Sequence, residues 1–216
     1  MRTWSFRVVG ALALGAVLLS PHLHAQIAPA ATATVSSETL DALYGKGLPY
    51  DAFVAAGGER RKQTWFDNHA AAEVPPAFVE RLNAASGDWR LLAVAEVWCA
   101  DSANSVPYLS RLADASRTLH LRVVDSTVGR TVLETHRTPD GRAATPVVLV
   151  LDAMGHEVGA LVERPGAIQS VYMQKHTTVT SDAMRDEIFA WYDRDRGQTA
   201  MRTIVEIVEQ AARSGR

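Results

Sequence analysis

Cysteine is all but missing from this chain, with one residue, Cys99, in 216. No intramolecular disulfide can form. An excess of charge is missing too: 22 lysines and arginines stand against 24 aspartates and glutamates, without a long run of either sign. That balance excludes the basic footprint of a nucleic-acid partner and the polybasic patch of an anionic-membrane binder. The short cluster Glu59-Arg60-Arg61-Lys62 reads as a solvated helix face. Ligand spacing is also lacking, because His69, His120, His136, His156 and His176 form no His-x-x-His or Glu-x-x-His pattern. They read as surface or core histidines, and neither a metal nor a cofactor is expected. There is no internal repeat.

No apolar run reaches the ~20 residues that span a bilayer. The longest, Val8 to Leu19, follows Arg2 and Arg7 and leads into Ser20-Pro21 and small residues. That pattern predicts a signal peptide over residues 1–25, cleaved after Ala25 or Ala30, and no stable membrane anchor thereafter. No cysteine follows the run, so a lipid-modified N-terminal cysteine is excluded. The Ala- and Thr-rich residues 26–37 read as a flexible leader. The expected location is outside the cytoplasm: periplasmic in a Gram-negative cell, otherwise secreted. Exported proteins meet oxidising conditions and usually pair their cysteines or avoid them. A lone one points to a reactive thiol or intermolecular pairing, against the plainer reading of a buried thiol that serves as a small hydrophobe.

Residues 38–216 read as one domain, with a core over 88–163 and C-terminal helices over 167–213. Ser36 to Tyr44 and Tyr50 to Glu73 carry helical spacing broken at glycines, and Pro75-Pro76 opens a helix through Ala85. Trp89 to Trp98 is a mostly apolar run that predicts a buried strand, with Cys99 directly after it. A helical pattern from Asp101 to Arg117 follows, then a strand over Leu119–Asp125 and a short helix over Val128–Arg137. Pro146 to Leu151 predicts a second buried strand, and Asp152 to Gly155 a turn into an antiparallel strand over His156–Val162. Three helices, near 167–175, 182–195 and 198–212, close the chain. The order predicts an α/β fold, a central mixed sheet flanked by helices, with a helical N-terminal extension and extra C-terminal helices.

A thiol exchanges disulfides only as thiolate, which the first turn of a helix favours. Ser102, one turn beyond Cys99, is positioned to donate a hydrogen bond to the sulfur. Asp101 and Glu96 oppose the thiolate by their charge. Glu96 and Asp125 are also candidates for a proton acceptor beneath the sulfur, or for plain structural roles. Arg164 lies near the site or on a solvated turn. Trp65-Phe66 and Trp191-Tyr192 read as core.

Trp98-Cys99-Ala100-Asp101-Ser102 at a strand-to-helix junction resembles the Trp-Cys-x-x-Cys site of the thioredoxin superfamily. Pro107, eight residues after Cys99, matches that family's kinking proline, and Ala144-Thr145-Pro146-Val147-Val148-Leu149 its cis-proline loop and following strand. The likeness spans Trp89 to about Val162, with the last helix included. It implies a thioredoxin-like fold, a cis peptide before Pro146 near the sulfur, a substrate-facing Trp98, and a Thr145-Pro146 loop that pairs with substrate. The departure is Ser102, where the family carries its second cysteine. The residues together imply a single-cysteine CxxS site in which Cys99 and Ser102 carry the chemistry and Trp98, Thr145 and Pro146 bind substrate. Cys99 would form mixed disulfides with a disulfide- or thiol-containing protein, or with a low-molecular-weight thiol. The alternative is a thioredoxin scaffold without redox turnover, acting as a binding or chaperone-like module.

Overall fold

The computed structural model describes residues 35–215; the expected signal peptide, both cleavage points and most of the leader fall outside them. Ser36 closes the leader by capping helix α1 (Ser37–Lys46), its hydroxyl accepting from the Thr39 N–H. Three short helices follow: α2 (Tyr50–Ala56), α3 (Lys62–Ala70) and α4 (Pro76–Ala84). Pro76 stands at the start of α4, where a missing N–H costs nothing.

Strand β1 (Trp89–Val94) is the axis of the sheet. It pairs in parallel with β2 (Leu119–Val124) and antiparallel with β3 (Val147–Leu151), which pairs antiparallel with β4 (Glu157–Val162). The order β2-β1-β3-β4 is the expected mixed sheet. Gly155, at φ 80°, turns the β3–β4 hairpin in a conformation that suits glycine. Leu48 forms a two-bond antiparallel bridge with Val123, covering part of the β2 edge.

Alternation along the strands sorts the core into two layers. Leu91, Ala93, Val148 and Val150 face α2, α3, α4, the helix α6 (Val106–Ala115) and α10 (Gln198–Arg213). Leu92, Val94, Val147, Leu149 and Leu151 face α1 and α7 (Arg130–Thr135). Each large side chain removed from water contributes roughly 1.5–3 kcal/mol, so both layers are needed to hold the central strands. A third, smaller cluster joins α8 (Gly166–Lys175) to α9 (Ser181–Asp195) through Ile168, Met184, Ile188 and Tyr192. No described helix is long and apolar enough to cross a membrane.

Two sequence boundaries are corrected. β1 ends at Val94, so Cys99 does not follow the strand directly: Ala95 to Trp98 form a loop between them. The long helix expected from Asp101 to Arg117 is two helices, α5 (Ala100–Ala103) and α6, separated at Asn104-Ser105. Proline lacks an N–H and its ring crowds the carbonyl four residues back, so Pro107 sits in the first turn of α6 rather than kinking a continuous helix.

Candidate functional site

The loop that carries Cys99 is held from beneath by the N-terminal helices. Trp65, fully buried, donates its indole N–H to the Val97 carbonyl at 2.9 Å, and the Tyr50 hydroxyl donates to the Trp65 carbonyl at 2.9 Å. Gly57 lies against the Val97 side chain, where a Cβ would come within 2.3 Å of a methyl carbon. The residues expected as a helical extension therefore support the site as well.

Cys99 is the N-cap of α5 and is partly buried. Its backbone N–H donates to the Glu96 carbonyl at 3.0 Å, and its own carbonyl accepts from Ala103. Its Sγ lies 3.3 Å from the Thr145 carbonyl, to which the thiol donates. The Thr145–Pro146 peptide is cis, as the resemblance implies. Cys99 and Thr145 thus come together from distant parts of the sequence. Trp98 is 54% exposed and faces solvent beside them.

Ser102 departs from expectation. It is fully buried, and its hydroxyl accepts from the Glu96 N–H at 3.4 Å instead of donating to the sulfur. No hydrogen bond from an α5 N–H to the Cys99 side chain forms either. The reason is geometric: the Ser102 side chain turns inward toward the loop after β1. Because α5 is a single turn, the dipole expected to favour thiolate is correspondingly short.

Cys99 opens onto a cleft of about 470 Å³ whose walls include Trp98, Ala143, Ala144 and Thr145. Its charged lining is Glu96, Asp101, Arg130, Glu134 and Glu163. A second cleft of about 420 Å³ shares Glu96 and Trp98 and is lined by Leu48, Phe53 and Val128. Glu96 is a loop residue rather than a strand residue, and its carboxylate accepts from the Ser126 N–H and hydroxyl at 3.0 and 2.6 Å. Asp125 accepts from the Thr127 and Val128 N–H groups, each at 2.8 Å, and so serves the turn after β2.

Sequence reasoning named Asp101 and Arg164 separately and missed their union. Arg164 Nε and Nη2 donate to the two Asp101 oxygens, each at 3.0 Å, and the Tyr192 hydroxyl donates to the same carboxylate at 2.9 Å. Arg164 also pairs with Glu163 at 2.8 Å and lies over the Tyr172 ring at 4.7 Å. Arg142 holds Glu163 from the other side at 2.8 and 2.9 Å. Burial pushes the Asp101 carboxyl above its ordinary range, against the pull of Arg164 and Tyr192. Burial and the adjacent Asp101 push the Tyr192 phenol well up. The only signal for this network in the sequence was Arg164 at the end of the hairpin.

Of the paired aromatics, Trp65 and Tyr192 are buried, whereas Phe66 is exposed. Three of these histidines meet a carboxylate each: His136 with Glu157, His156 with Asp152, His69 near Asp114. Among the described residues no three His, Cys, Asp or Glu side chains converge as a metal site would require.

A thioredoxin family model matches residues 47–185, well over half the chain and wider than the segment carrying the motifs. No curated protein matches. Two crystal structures share the fold. One is PA1234, a protein of unknown function from Pseudomonas aeruginosa, 24% identical with a TM-score of 0.61, covering 78% of this chain and 96% of that one. The other is an HIV epitope scaffold, 24% identical with a TM-score of 0.62, covering 79% and 98%. At that identity the likeness speaks for the architecture alone.

Proposed function

Because the chain belongs to the thioredoxin family, we propose that it is an exported, single-cysteine thiol-disulfide exchange protein that works through a mixed disulfide on Cys99. The observation that carries this reading is the half-buried Cys99, which lines a cleft large enough for part of a substrate with its sulfur 3.3 Å from the Thr145 carbonyl. The Cys99 thiolate attacks one sulfur of a substrate disulfide; a bond from Cys99 forms, the substrate bond breaks, and the other substrate sulfur leaves as thiolate. Ser102 supplies no second sulfur. Release therefore takes a thiolate from a low-molecular-weight thiol or from the substrate itself, which regenerates Cys99 and joins the two outside sulfurs. When the substrate's own thiol attacks, no electrons are gained or lost overall, which is isomerisation; a first external thiol leaves the substrate sulfur in a mixed disulfide with it, and a second, leaving with the first as their disulfide, completes a two-electron reduction. The exposed Trp98 and the cleft-lining Ala144 and Thr145 are the surfaces available to an extended substrate, with Pro146 buried behind them. Export rests on Arg2, Arg7 and the apolar Val8–Leu19 run.

A second reading, a thioredoxin scaffold without turnover, draws on the electrostatics of the cleft. Glu96, Glu134 and Glu163 line it, and the thiol donates to a carbonyl, a bond the thiolate cannot make. Incubation with oxidised glutathione separates the two readings. Intact-mass measurement is expected to find one glutathionyl adduct on the wild type, removed by added thiol, and none on Cys99→Ser. A folded wild type that stays unmodified over the same pH range as a free-thiol control overturns the exchange reading and leaves the scaffold.

A further inference from the structure

Asp101 stands two residues after Cys99, on the turn that the cysteine caps. A carboxylate there ordinarily disfavours an adjacent thiolate. In this fold the carboxylate is fully engaged, with both oxygens on the Arg164 guanidinium at 3.0 Å and the Tyr192 hydroxyl on one of them at 2.9 Å. The Arg164 side chain is 9% exposed and that of Asp101 14%, so little water competes for the pair. Arg164 is itself fixed from three sides: by Glu163 at 2.8 Å, by the Tyr172 ring of α8, and by Asp101 on α5. Arg142, bound to both Glu163 oxygens and to Asp140, keeps Glu163 from drawing the guanidinium away.

Resting on the reading of Cys99 as a reacting thiol, we propose that Arg164 is a positioning residue for that reaction: it cancels and immobilises the Asp101 charge, so that Cys99 can ionise beside a carboxylate. Of the other charged groups around the sulfur, Glu96 and Glu163 are held by partners of their own, and Arg130 and Glu134 are exposed to solvent. Glu96 faces the cleft from the loop after β1, Arg130 and Glu134 from α7, Glu163 from the end of β4, and the Thr145 carbonyl accepts the thiol proton. Glu96 is already bound to Ser126, and Glu163 to two arginines. Asp101 is the carboxylate whose compensation hangs on Arg164, a residue 63 positions away in the chain. The same guanidinium ties helix α8 to the active-site turn through the Tyr172 ring, and the Tyr192 hydroxyl ties α9 to it through Asp101.

The test is the pH profile of Cys99 alkylation by iodoacetamide, which needs no disulfide substrate. Arg164→Gln leaves Asp101 uncompensated and is expected to raise the midpoint by about one pH unit, which slows alkylation about tenfold at pH values well below it. Asp101→Asn alone leaves the arginine charge and lowers the midpoint. In the double variant the midpoint returns close to wild type, and Arg164→Lys falls between wild type and Arg164→Gln. A merely structural role would change the plateau rate at high pH, where all thiol is ionised, and would not be rescued by Asp101→Asn. The proposal is overturned if the Arg164→Gln midpoint does not move, or if it moves equally with and without Asp101. Should Arg164→Gln fail to fold, Asp101→Asn decides: an unmoved midpoint there also overturns it. Alkylation reads ionisation and glutathionylation reads exchange, so failure of one is distinguishable from failure of the other.

Discussion

Ser102 occupies the place one turn beyond Cys99, and its burial against the Glu96 N–H makes it part of the turn's internal support. Replacing its hydroxyl by a thiol changes little in volume and weakens a long hydrogen bond, a loss of roughly 0.5–1.5 kcal/mol. Ser102→Cys is therefore expected to fold, and to bring two sulfurs within closing distance at the α5 N-terminus. Oxidised with a mild disulfide and assayed for free thiols, it should lose both, and it should cycle with dithiothreitol where wild type and Cys99→Ser do not. Two free thiols in an intact, oxidant-treated protein would mean that the inward turn of residue 102 holds its side chain away from Cys99. The same variant measures how far the missing sulfur alone separates this site from a dithiol one. Charge compensation by Arg164 is a property of the surrounding network and would be retained.

Pairs between elements carry a different kind of information. His136, the C-cap of α7, lies with Nε2 at 2.9 and 3.0 Å from the Glu157 oxygens on β4, and with Nδ1 at 3.0 Å from the Val132 carbonyl. Both ring nitrogens face acceptors, so the imidazolium is favoured, and the Glu157 hydrogen bond holds the His136 pKa above its ordinary value. A raised folded-state pKa stabilises the protein below the unfolded value near 6.5, and the benefit is lost as pH rises through the folded value. His136→Gln should thus cost about 1 kcal/mol of urea stability at pH 5.5, a charge-assisted bond discounted for partial exposure, and much less at pH 8.5. Equal losses at both pH values would show that the pair acts without its charge. Such pairs also mark where the sequence stops being legible. Strand β3 and the β3–β4 hairpin stand out because an apolar run ends in Asp152 to Gly155. The end of β1 does not, since Ala95 and Val97 are as buried as strand residues although they lie in a loop. Hydrophobicity records burial there, and the loop's backbone is satisfied by Trp65 and Val124, which no local pattern announces. Cys99, Trp98, Thr145 and Pro146 were legible because motif and order bring them together. The bond between Asp101 and Arg164 was not, because a charge pair between distant elements leaves no periodic trace.

At the scale of the molecule, the apolar interior is divided. The two layers on either side of the sheet enclose strands buried on both faces, with every residue of β3 inaccessible. Helices α8 and α9 instead share a small cluster of their own, Ile168, Met184, Ile188 and Tyr192, and are joined to the active-site turn by the Arg164 and Asp101 pair. Regions with few buried contacts open with lower free energy than the core they lean on. Amides of α8 and α9 should accordingly exchange through a partial opening, with a shallower urea dependence than those of β1 and β3, which should exchange only through global unfolding. Met184→Ala removes a side chain that is 4% exposed, a loss of roughly 2–5 kcal/mol in a rigid core; here it should accelerate exchange in α8 and α9 and leave β1 and β3 nearly unchanged. Arg164→Gln should do the same chiefly in α8, whose Tyr172 ring loses the guanidinium, while Tyr192 of α9 keeps its bond to Asp101. Native-state hydrogen exchange read by mass spectrometry over increasing urea decides the matter. If α8 and α9 exchange with the same urea dependence as the central strands, the domain opens as one unit, and the ion network binds the helices as firmly as the core binds the sheet.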